Sequence, residues 1–402
     1  MNGLGEYQAP AALERFKTIF LGAGGIALIV WAIGVYMSPE QGLRSWLLGY
    51  IFWGGITIGS LGVIMLQYLT GGAWGVVIRR IVEAASRTLP MMIILFIPLI
   101  FIQYYHYWTT WPADDYAIVH RGWFMTQESW ILRSFIYFLL FYVIMHLLNK
   151  WGEAQDKATD HEAAAKWLGR ATAFSGPTMV FYVLIVTFAT VDWVMMLDAH
   201  WFSTIWGLLF VAGWALSCFS FCVVVLMYLS DKAPMNAVLG KRHFHDLGKL
   251  MLAFTMVWAY FNFSQFLIIW SGNIPEETGW YLVRMKGGWM IVGTLLVLFH
   301  FAFPFLILLQ QDFKRKAKWL ASLAVFILLM RLVDMFYLVA PNPRIDKAIE
   351  KGAFVLSWMD IVAPIAIGGL WLWLFLVQYT KRPIMPVMDP FLENAIKHGK
   401  GH

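Results

Sequence analysis

The feature that most restricts the fold is an apolar run over residues 250–270 that carries amide side chains in its middle. About twenty apolar residues cross the hydrocarbon core of a bilayer as a helix. There, an amide without a hydrogen-bond partner costs roughly 2 to 7 kcal/mol. The amides must therefore face other helices or an internal cavity. Three- and four-residue steps place on one helical face Met251, Thr255, Trp258, Asn262 and Gln265.

Two interpretations of this polar face are open. In the first, the amides form a hydrogen-bonded seam between helices, worth about 0.6 kcal/mol per contact. In the second, they line a polar path for protons or for the headgroup of a membrane-soluble molecule. Both interpretations require the face to turn away from lipid.

Composition extends the membrane assignment to the whole chain. Of its 402 residues, 60% are hydrophobic and 13% are charged, and several apolar runs are long enough to span a bilayer. We predict an all-α membrane protein, a single integral membrane domain over residues 1–402, with about ten transmembrane helices. No large soluble domain fits between them, and nothing supports nucleic-acid binding. The predicted spans lie near 16–37, 46–68, 88–108, 130–149, 176–197, 201–229, 247–270, 288–310, 318–340 and 354–379.

The distribution of Lys and Arg predicts how these helices are oriented. Basic residues concentrate in the connections on the cytoplasmic side of a membrane. On the ten-span plan, 21 of the 30 Lys and Arg residues fall on one side, eight fall on the other, and Arg331 lies inside a span. This imbalance predicts an even number of crossings with both termini in the cytoplasm.

Ionisable residues near the outer ends of the spans form a first candidate site. Such residues are costly in a membrane and by default indicate function. A quinol headgroup needs one group that takes its proton, a second that orients it, and aromatic walls. Alternatively, His106 and Arg133 are interfacial anchors and Asp192 pairs with Arg133. The predicted quinone-binding residues are Gln103, His106, Arg133, Tyr137 and Asp192.

Two prolines mark a second, deeper set of polar residues. Pro304 and Pro364 each remove the amide that would bond to the carbonyl four residues earlier, at His300 and Asp360. Each freed carbonyl therefore lies beside an ionisable side chain, an arrangement that suits a hydrated cavity.

A charged pair completes this deeper set. Arg331 and Asp334 lie three residues apart on one predicted span and can pair directly. Alternatively, these residues are satisfied core ion pairs and packing kinks. The predicted proton pathway comprises Thr255, Asn262, Gln265, His300, Arg331, Asp334 and Asp360.

The sequence contains few of the residues that hold redox centres. Cys218 and Cys222 alone form neither a structural zinc site nor an iron–sulfur site, and no Cys-x-x-Cys-His run is present for haem c. A membrane haem b commonly takes two histidines at membrane depth, where only His300 lies centrally. We therefore expect no catalytic residue, metal ligand or covalently bound cofactor in this chain.

The stretch 246–277, above all WAYFNFSQFLIIWSGNIPEE, resembles a known family. It is similar to the ActF-like integral membrane subunits of alternative complex III, within the polysulfide-reductase (NrfD-like) family. That bacterial complex is a quinol:cytochrome c (or other acceptor) oxidoreductase. The ten-span plan, cytoplasmic termini and missing redox centres agree with the family over essentially the full length.

The resemblance implies an architecture, partners and cofactors. Residues 46–197 and 201–340 would form two four-helix bundles, with 1–45 and 341–402 as flanking helices and tails. Partners would be a sister NrfD-like membrane subunit, an iron–sulfur subunit and c-type cytochrome subunits. The iron–sulfur clusters and haem c would reside in those partners, with menaquinol or ubiquinol as reductant. The location implied is the bacterial cytoplasmic (inner) membrane.

Three functions follow as hypotheses. The leading one is a structural and proton-conducting subunit of this quinol-oxidising complex, without redox centres of its own. The second is a subunit that binds quinol directly, and in the family the quinol pocket is better placed in the sister subunit. The third is a secondary transporter whose midplane charges bind a substrate.

Overall fold

The protein is built from helices throughout the part of the chain that the structure describes. The computed structural model describes residues 7–104, 106–107, 110–341 and 353–400, without the side chain of Gln103. Nine helices within these ranges are long and apolar enough to cross a membrane. They are α1 (Ala12–Met37), α2 (Pro39–Thr70), α6 (Gln127–Asp156), α7 (His161–Trp193), α8 (Trp206–Leu229), α10 (Lys241–Gly272), the interrupted helix α12–α13 (Gly287–Leu309), α15 (Ala317–Val339) and α16 (Met359–Tyr379).

Shorter helices connect or extend these spans. A 3₁₀ segment, Ile97–Tyr104, follows α4, and a π-helical segment, Leu296–Ala302, separates α12 from α13. The short helices are α3 (Ala73–Ser86), α4 (Leu89–Leu95), α5 (Tyr116–Arg121), α9 (Met235–Val238), α11 (Pro275–Arg284), α12 (Gly287–Leu295), α13 (Phe303–Leu309), α14 (Gln311–Lys314) and α17 (Leu392–Lys400).

The third predicted span, 88–108, differs from a regular transmembrane helix. It consists of α4, with seven residues, and the 3₁₀ segment, with eight. A 3₁₀ helix rises about 2.0 Å per residue against about 1.5 Å in an α-helix, so the two segments extend roughly 26 Å. That length approaches the thickness of a bilayer core, roughly 30 Å. With the nine long helices, it agrees with the predicted all-α membrane protein of about ten spans.

Helix α2 occupies the centre of the molecule. It contacts α1, α7, α8, α15 and α16. Of the residues in its most apolar 18-residue stretch, 89% are buried. Two glycines allow α2 to pack this closely. A Cβ atom on Gly59 would lie 2.7 Å from the carbonyl oxygen of Trp214 in α8, and a Cβ atom on Gly55 would collide with the ring of the same tryptophan. Gly55 and Gly59, four residues apart, therefore allow the close approach of α2 and α8.

The remaining helices pack in two groups on either side of α2 and α8. On one side, α4, α6 and α7 contact one another or α2. On the other, α10 and α15 pack with α8, and α13 packs with α10. Helices α1 and α16 form an extensive pair against α2. The predicted break between the fifth and sixth spans is confirmed, since α7 ends at Trp193 and α8 begins at Trp206.

A buried ionic network ties the C-terminal segment to α3 and α6. Arg382 lies 3.1 Å from Glu83 and 2.5 Å from Asp156, and Arg80 donates to Glu83 at 2.5 Å. Burial alone would raise the pKa of Glu83, but the guanidinium groups of Arg80 and Arg382 outweigh it and lower this pKa to about 2. The sequence places Arg80 and Arg382 only among the basic residues of the connections between spans, and it does not predict these ion pairs. Neighbouring ion pairs join Arg79 to Asp389 and Arg87 to Glu153.

Substituting alanine for Gly59 will push α2 and α8 apart. The new methyl group meets backbone, which cannot swing away, so we expect a loss of roughly 1–3 kcal/mol of stability. Gly54→Ala is the matched control, because its nearest neighbour is the mobile end of Met92 at 3.4 Å. Thermal unfolding in detergent will give a lower midpoint for Gly59→Ala and an unchanged or slightly higher one for Gly54→Ala. Equal midpoints would contradict this packing.

Candidate functional site

A buried ion pair lies between α10 and α15. Arg331 donates through Nη1 to Oδ2 of Asp334, and the indole Nε1 of Trp258 donates to the same oxygen at 3.2 Å. Arg331 is 1% exposed and Asp334 is 2% exposed. The guanidinium packs directly on Gly213 of α8, a position where any side chain would collide with it. The pair predicted from three-residue spacing therefore forms, with a tryptophan as an additional donor.

His300 adjoins this pair through an aromatic stack. Its ring lies parallel to that of Trp258, with centroids 4.0 Å apart and an interplanar angle of 22°. The imidazole is fully buried, and neither ring nitrogen bonds to any other described residue. Two unbonded nitrogens in an apolar interior are costly, and such groups commonly bind water or carry out a function.

A π-helical segment places His300 at this position. The segment Leu296–Ala302 directly precedes α13, whose second residue, Pro304, cannot donate a backbone hydrogen bond. Single π turns inside α-helices occur frequently at functional sites. The sequence predicts that regular α-helical hydrogen bonding is lost at His300, and the structure has a π turn there.

A cavity of about 510 Å³ opens beside the ion pair. Asp334 forms part of its wall, as do Leu296, Val297 and Phe301 from the helix of His300. The cavity thus connects the charged pair with the polar face of α10. Its other lining residues with amide or hydroxyl groups are Tyr260, Asn262, Gln265, Tyr281 and Tyr337.

Gln265 extends the polar face toward the connection between α7 and α8. Its Nε2 donates to the hydroxyl of Tyr281 at 3.0 Å, and its Oε1 accepts from the hydroxyl of Ser203 at 2.9 Å. Ser203 precedes α8 and is partly exposed. A chain of hydrogen-bonding groups therefore leads from the cavity to the end of the helices that the topology predicts to be outer.

The opposite direction along α10 is apolar. Thr255 and Asn262 donate to carbonyls of their own helix, at Met251 and Trp258, with distances of 2.8 and 3.1 Å. Below Thr255 on this face, Met251 and Leu247 are fully buried. The described polar groups on this face of α10 thus extend from the ion pair toward one end of the helix.

The outer candidate set separates into two clusters. In the first, Arg133 donates to Asp192 through Nε at 2.7 Å and Nη2 at 3.0 Å, and the Tyr137 hydroxyl donates to Asp192 at 2.8 Å. The guanidinium also stacks on Phe124 at 3.9 Å. The carboxylate thus accepts three hydrogen bonds from protein, which favours the ion-pair alternative over a group held open for a headgroup.

The second cluster forms at the start of α2 and joins His106 with Asp360. The His106 Nε2 lies 2.6 Å from the Glu40 carbonyl oxygen. One turn along α2, the Ser45 hydroxyl donates to Asp360 at 2.6 Å, and Gln41 donates to the same oxygen at 3.0 Å. Gln103, predicted to belong with His106, has a side chain outside the described residues.

The position of Asp360 corrects one expectation. We expected it inside a span beginning near residue 354, but α16 begins at Met359, and Asp360 lies in its first turn. Its carboxylate accepts from the backbone N–H of Ser357 at 2.9 Å, as an acid at a helix N-terminus commonly does. Asp360 therefore belongs to the cluster at the start of α2, and its bonds are to residues other than Arg331, Asp334 and His300.

Several members of these sites were not predicted. Trp258 was placed on the polar face but given no role, and Ser203, Tyr281 and Tyr337 were not singled out. Tyr281 offered one signal, because only Asn273 and Ile274 separate α10 from α11, the helix that carries Tyr281, so α11 would fold back beside α10. Gln41 and Ser45 offered none, since their partner Asp360 lies more than 300 residues away in sequence.

No protein-family model matches the chain, and no curated protein is found to be similar to it.

Removing one partner of the buried pair will destabilise the protein more than removing both. Asp334→Leu leaves a guanidinium unpaired in an apolar interior, at a cost of roughly 3–5 kcal/mol. Adding Arg331→Met removes that charge, so the double variant should regain most of the loss. Thermal unfolding of the purified protein compares the stability of the single and double variants. Asp312→Leu is the control, because the Asp312 side chain is 89% exposed. A single variant as stable as the parent would contradict the pairing.

Proposed function

We propose that the chain is an integral membrane subunit of a quinol:cytochrome c (or other acceptor) oxidoreductase complex. In this role it scaffolds the complex and conducts protons, and it holds no redox centre of its own. The single observation that carries the proton-conducting part is the contact of Asp334, Trp258 and His300 beside a polar cavity. The assignment to a quinol-oxidising complex rests on the resemblance of residues 246–277.

The chemistry of this cluster suits proton transfer. A carboxylate and an imidazole are groups that gain and lose protons in relays through membranes. Here Trp258 lies between them, bonded to Asp334 and stacked on His300. The tryptophan holds both groups in place, so that a change in the charge of one alters the environment of the other.

The cavity supplies the route from this cluster to one membrane surface. At about 510 Å³ it has room for several waters, each occupying roughly 30 Å³. Asn262 and Gln265 provide hydrogen-bonding partners along its wall, and Gln265 reaches Ser203. Thr255 lies on the apolar side of the cluster and would be the first polar group inward.

Asp360 and His106 would take part at the outer end of the same route. Arg44, in their cluster, donates to the carbonyl of Ala340 at 3.2 Å. Ala340 follows Asp334 by six residues, roughly 9 Å of helix rise. The carbonyl that Arg44 reaches therefore lies less than two helical turns from the buried carboxylate along α15.

Partners follow from this proposal. Electrons from menaquinol or ubiquinol would pass through iron–sulfur clusters and haem c in partner subunits, and a sister NrfD-like subunit would lie beside this chain in the bacterial cytoplasmic membrane. Oxidation in the partners would shift the charge state of the proton route. A quinol held directly by His106, Arg133, Tyr137 and Asp192 is the alternative, although Asp192 already accepts bonds from Arg133 and Tyr137.

A secondary transporter is the second candidate function. A helix broken by a π turn beside a buried charge resembles the interrupted helices that form midplane substrate sites. Co-purification separates the two functions. A complex subunit should be isolated with haem absorbance, whereas a transporter should be isolated alone or as a homo-oligomer.

Neutralising the buried carboxylate will uncouple proton movement from electron transfer. In the purified complex reconstituted into vesicles, Asp334→Asn should lower the number of protons moved per electron, because the amide binds no proton at neutral pH. Asp360→Asn should have the same effect if the outer cluster takes part. The measurement is the pH change recorded during quinol oxidation, with turnover measured in parallel.

Asp312→Asn is the matched control, since the Asp312 side chain is 89% exposed. It should retain the parent stoichiometry and turnover. If complexes carrying Asp334→Asn and Asp360→Asn keep full turnover and full proton-to-electron stoichiometry, the proton-conducting role is wrong and a scaffold remains.

A further inference from the structure

A basic turn joins α13 to α15. Four basic residues lie within five positions of the sequence: Lys314, Arg315, Lys316 and Lys318. Between the two helices the sequence has one acidic residue, Asp312, whose side chain points into water and is 89% exposed. The distribution of Lys and Arg predicts that this turn lies on the cytoplasmic side. An excess of positive charge therefore lies where two spans leave the membrane.

Lys314 differs from its neighbours in the turn because it is buried. The residue is 6% exposed, whereas Arg315 and Lys316 are exposed. Its methylene groups pack on α10 at Gly248, where a Cβ atom would lie 2.8 Å from the Cγ of Lys314. None of the described carboxylates pairs with its ammonium group. The fold therefore holds an unpaired cation in one place.

Lys249 brings a second cation close to Lys314. Burial lowers the pKa of the Lys314 ammonium group, and the positive charge of Lys249 lowers this pKa further. The nearest carboxylate to Lys249 is that of Asp246, at a long 3.4 Å. The same carboxylate lies 2.8 Å from Nε2 of His398 in α17. Because one acid is shared in this way, the two lysines keep an excess of positive charge.

Like charges held close together favour the binding of an anion. Two ammonium groups repel each other, and an anion between them replaces that repulsion with attraction. Arg315 adds a third cation, since its ion pair with the exposed Asp312 is long, at 3.9 Å. A phosphate group has enough acceptor oxygens for two lysines and an arginine. The charges around Lys314 thus suit a phosphate.

Exposed apolar side chains lie next to these cations. In α13, Leu306 is 61% exposed and Leu309 is 53% exposed, so the end of this span faces lipid. At the start of α15, Trp319 is 60% exposed and meets Phe313 edge to face, with centroids 6.0 Å apart. Tryptophan at the end of a span typically lies at the level of the lipid headgroups. Cations and a hydrocarbon-facing surface therefore adjoin each other.

A phospholipid satisfies both parts of this surface. An acidic protein in the cytoplasm, or free phosphate, would meet the cations and leave the leucines of α13 uncovered. A phospholipid places its phosphate at the cations and an acyl chain along α13. A choline headgroup would bring a further positive charge to the lysines, whereas a glycerol headgroup brings none. The surface therefore favours an anionic phospholipid.

We propose that Lys314, Lys249 and Arg315 bind the phosphate of an anionic phospholipid. One acyl chain of this lipid lies along α13, past Leu309 and Leu306. Because α14 contacts both α10 and α15, the bound lipid connects the cytoplasmic ends of these helices. The site lies at the opposite end of α10 from the polar cavity, and it depends on neither quinol oxidation nor proton conduction.

Photocrosslinking locates the lipid on this chain. The full-length protein, with any subunits that co-purify, is placed in phosphatidylcholine nanodiscs that contain a small fraction of phosphatidylglycerol with a diazirine in one acyl chain. Mass spectrometry of the digested chain reports the labelled residues, so lipid on other subunits is counted separately. We expect label to be enriched on α13, at Leu306 or Leu309, relative to the lipid-facing Phe181 of α7.

Two variants and one matched control test the cations. Lys314→Met removes the charge and keeps an apolar side chain on Gly248, so the enrichment should fall about fivefold. Lys249→Met should lower it by a similar factor. Lys166→Met is the control, because Lys166 lies on the same predicted side, is exposed, and pairs with Glu162 at 3.1 Å. It should leave the enrichment unchanged.

Two further arms identify the ligand. A phosphatidylcholine probe with the same diazirine should label α13 and α7 alike, because its choline group is repelled by the lysines. Inorganic phosphate added to the nanodiscs should leave the labelling by phosphatidylglycerol unchanged. Equal enrichment of the two probes, or displacement by inorganic phosphate, would overturn the assignment to an anionic phospholipid.

Parent-like enrichment in both Lys314→Met and Lys249→Met would overturn the site. Thermal midpoints of both variants confirm that they are folded. Lys249→Met, which changes an exposed side chain, still tests the proposal if Lys314→Met does not fold. Because the nanodiscs contain no quinol and no proton flux is measured, a failure of the proton-conducting role leaves the result unchanged.

Discussion

The structure depends on the requirement that charge inside a membrane be paired. Arg331 and Asp334 are each buried to within a few percent, in a part of the chain surrounded by apolar helices. An uncompensated charge there would cost several kcal/mol, so the packed arrangement of the surrounding helices requires the pair. The guanidinium packs against α8 where Gly213 leaves room for it. Pairing and helix packing are therefore coupled.

The same requirement explains why the polar groups cluster instead of spreading over the perimeter. Trp258 uses its only polar atom on Asp334 and its ring face on His300. Gln265 uses both ends of its amide, on Tyr281 and Ser203. These side chains bond to one another, Thr255 and Asn262 bond to backbone carbonyls, and a cavity lined in part by polar atoms lies beside them. The proposed role in proton movement uses that cavity.

The sequence predicted those features that depend on local periodicity. Three- and four-residue steps on α10 placed Thr255, Trp258, Asn262 and Gln265 on one face. The structure buries all of them except Asn262, which is partly buried and lines the cavity. Three-residue spacing predicted the Arg331–Asp334 pair, and Pro304 predicted a break near His300. In each case the determining contacts lie within one helix. Hydropathy alone therefore accounts for about ten spans and for much of the deep cluster.

These sequence patterns do not predict contacts between segments that are distant in the chain. The sequence gives no sign that Asp360 bonds to Ser45, 315 residues away, or that His106 meets the Glu40 carbonyl. Depth placed His106 beside Asp192, whereas helix packing places it at the start of α2. The 3₁₀ segment after α4 was also missed, because hydropathy reports burial in a membrane and is insensitive to the rise per residue.

Thiol labelling at α10 tests the central claim, that this polar face lines a hydrated cavity. Cysteine would replace Asn262 on the cavity wall or Leu267, which is 49% exposed on the lipid-facing side of α10 and does not line the cavity, with Cys218 and Cys222 changed to alanine. A charged, membrane-impermeant thiosulfonate reacts only with a thiol that water reaches as thiolate. The account predicts rapid labelling of Asn262→Cys and none of Leu267→Cys. Equal resistance of both, or labelling of Leu267→Cys alone, would contradict it.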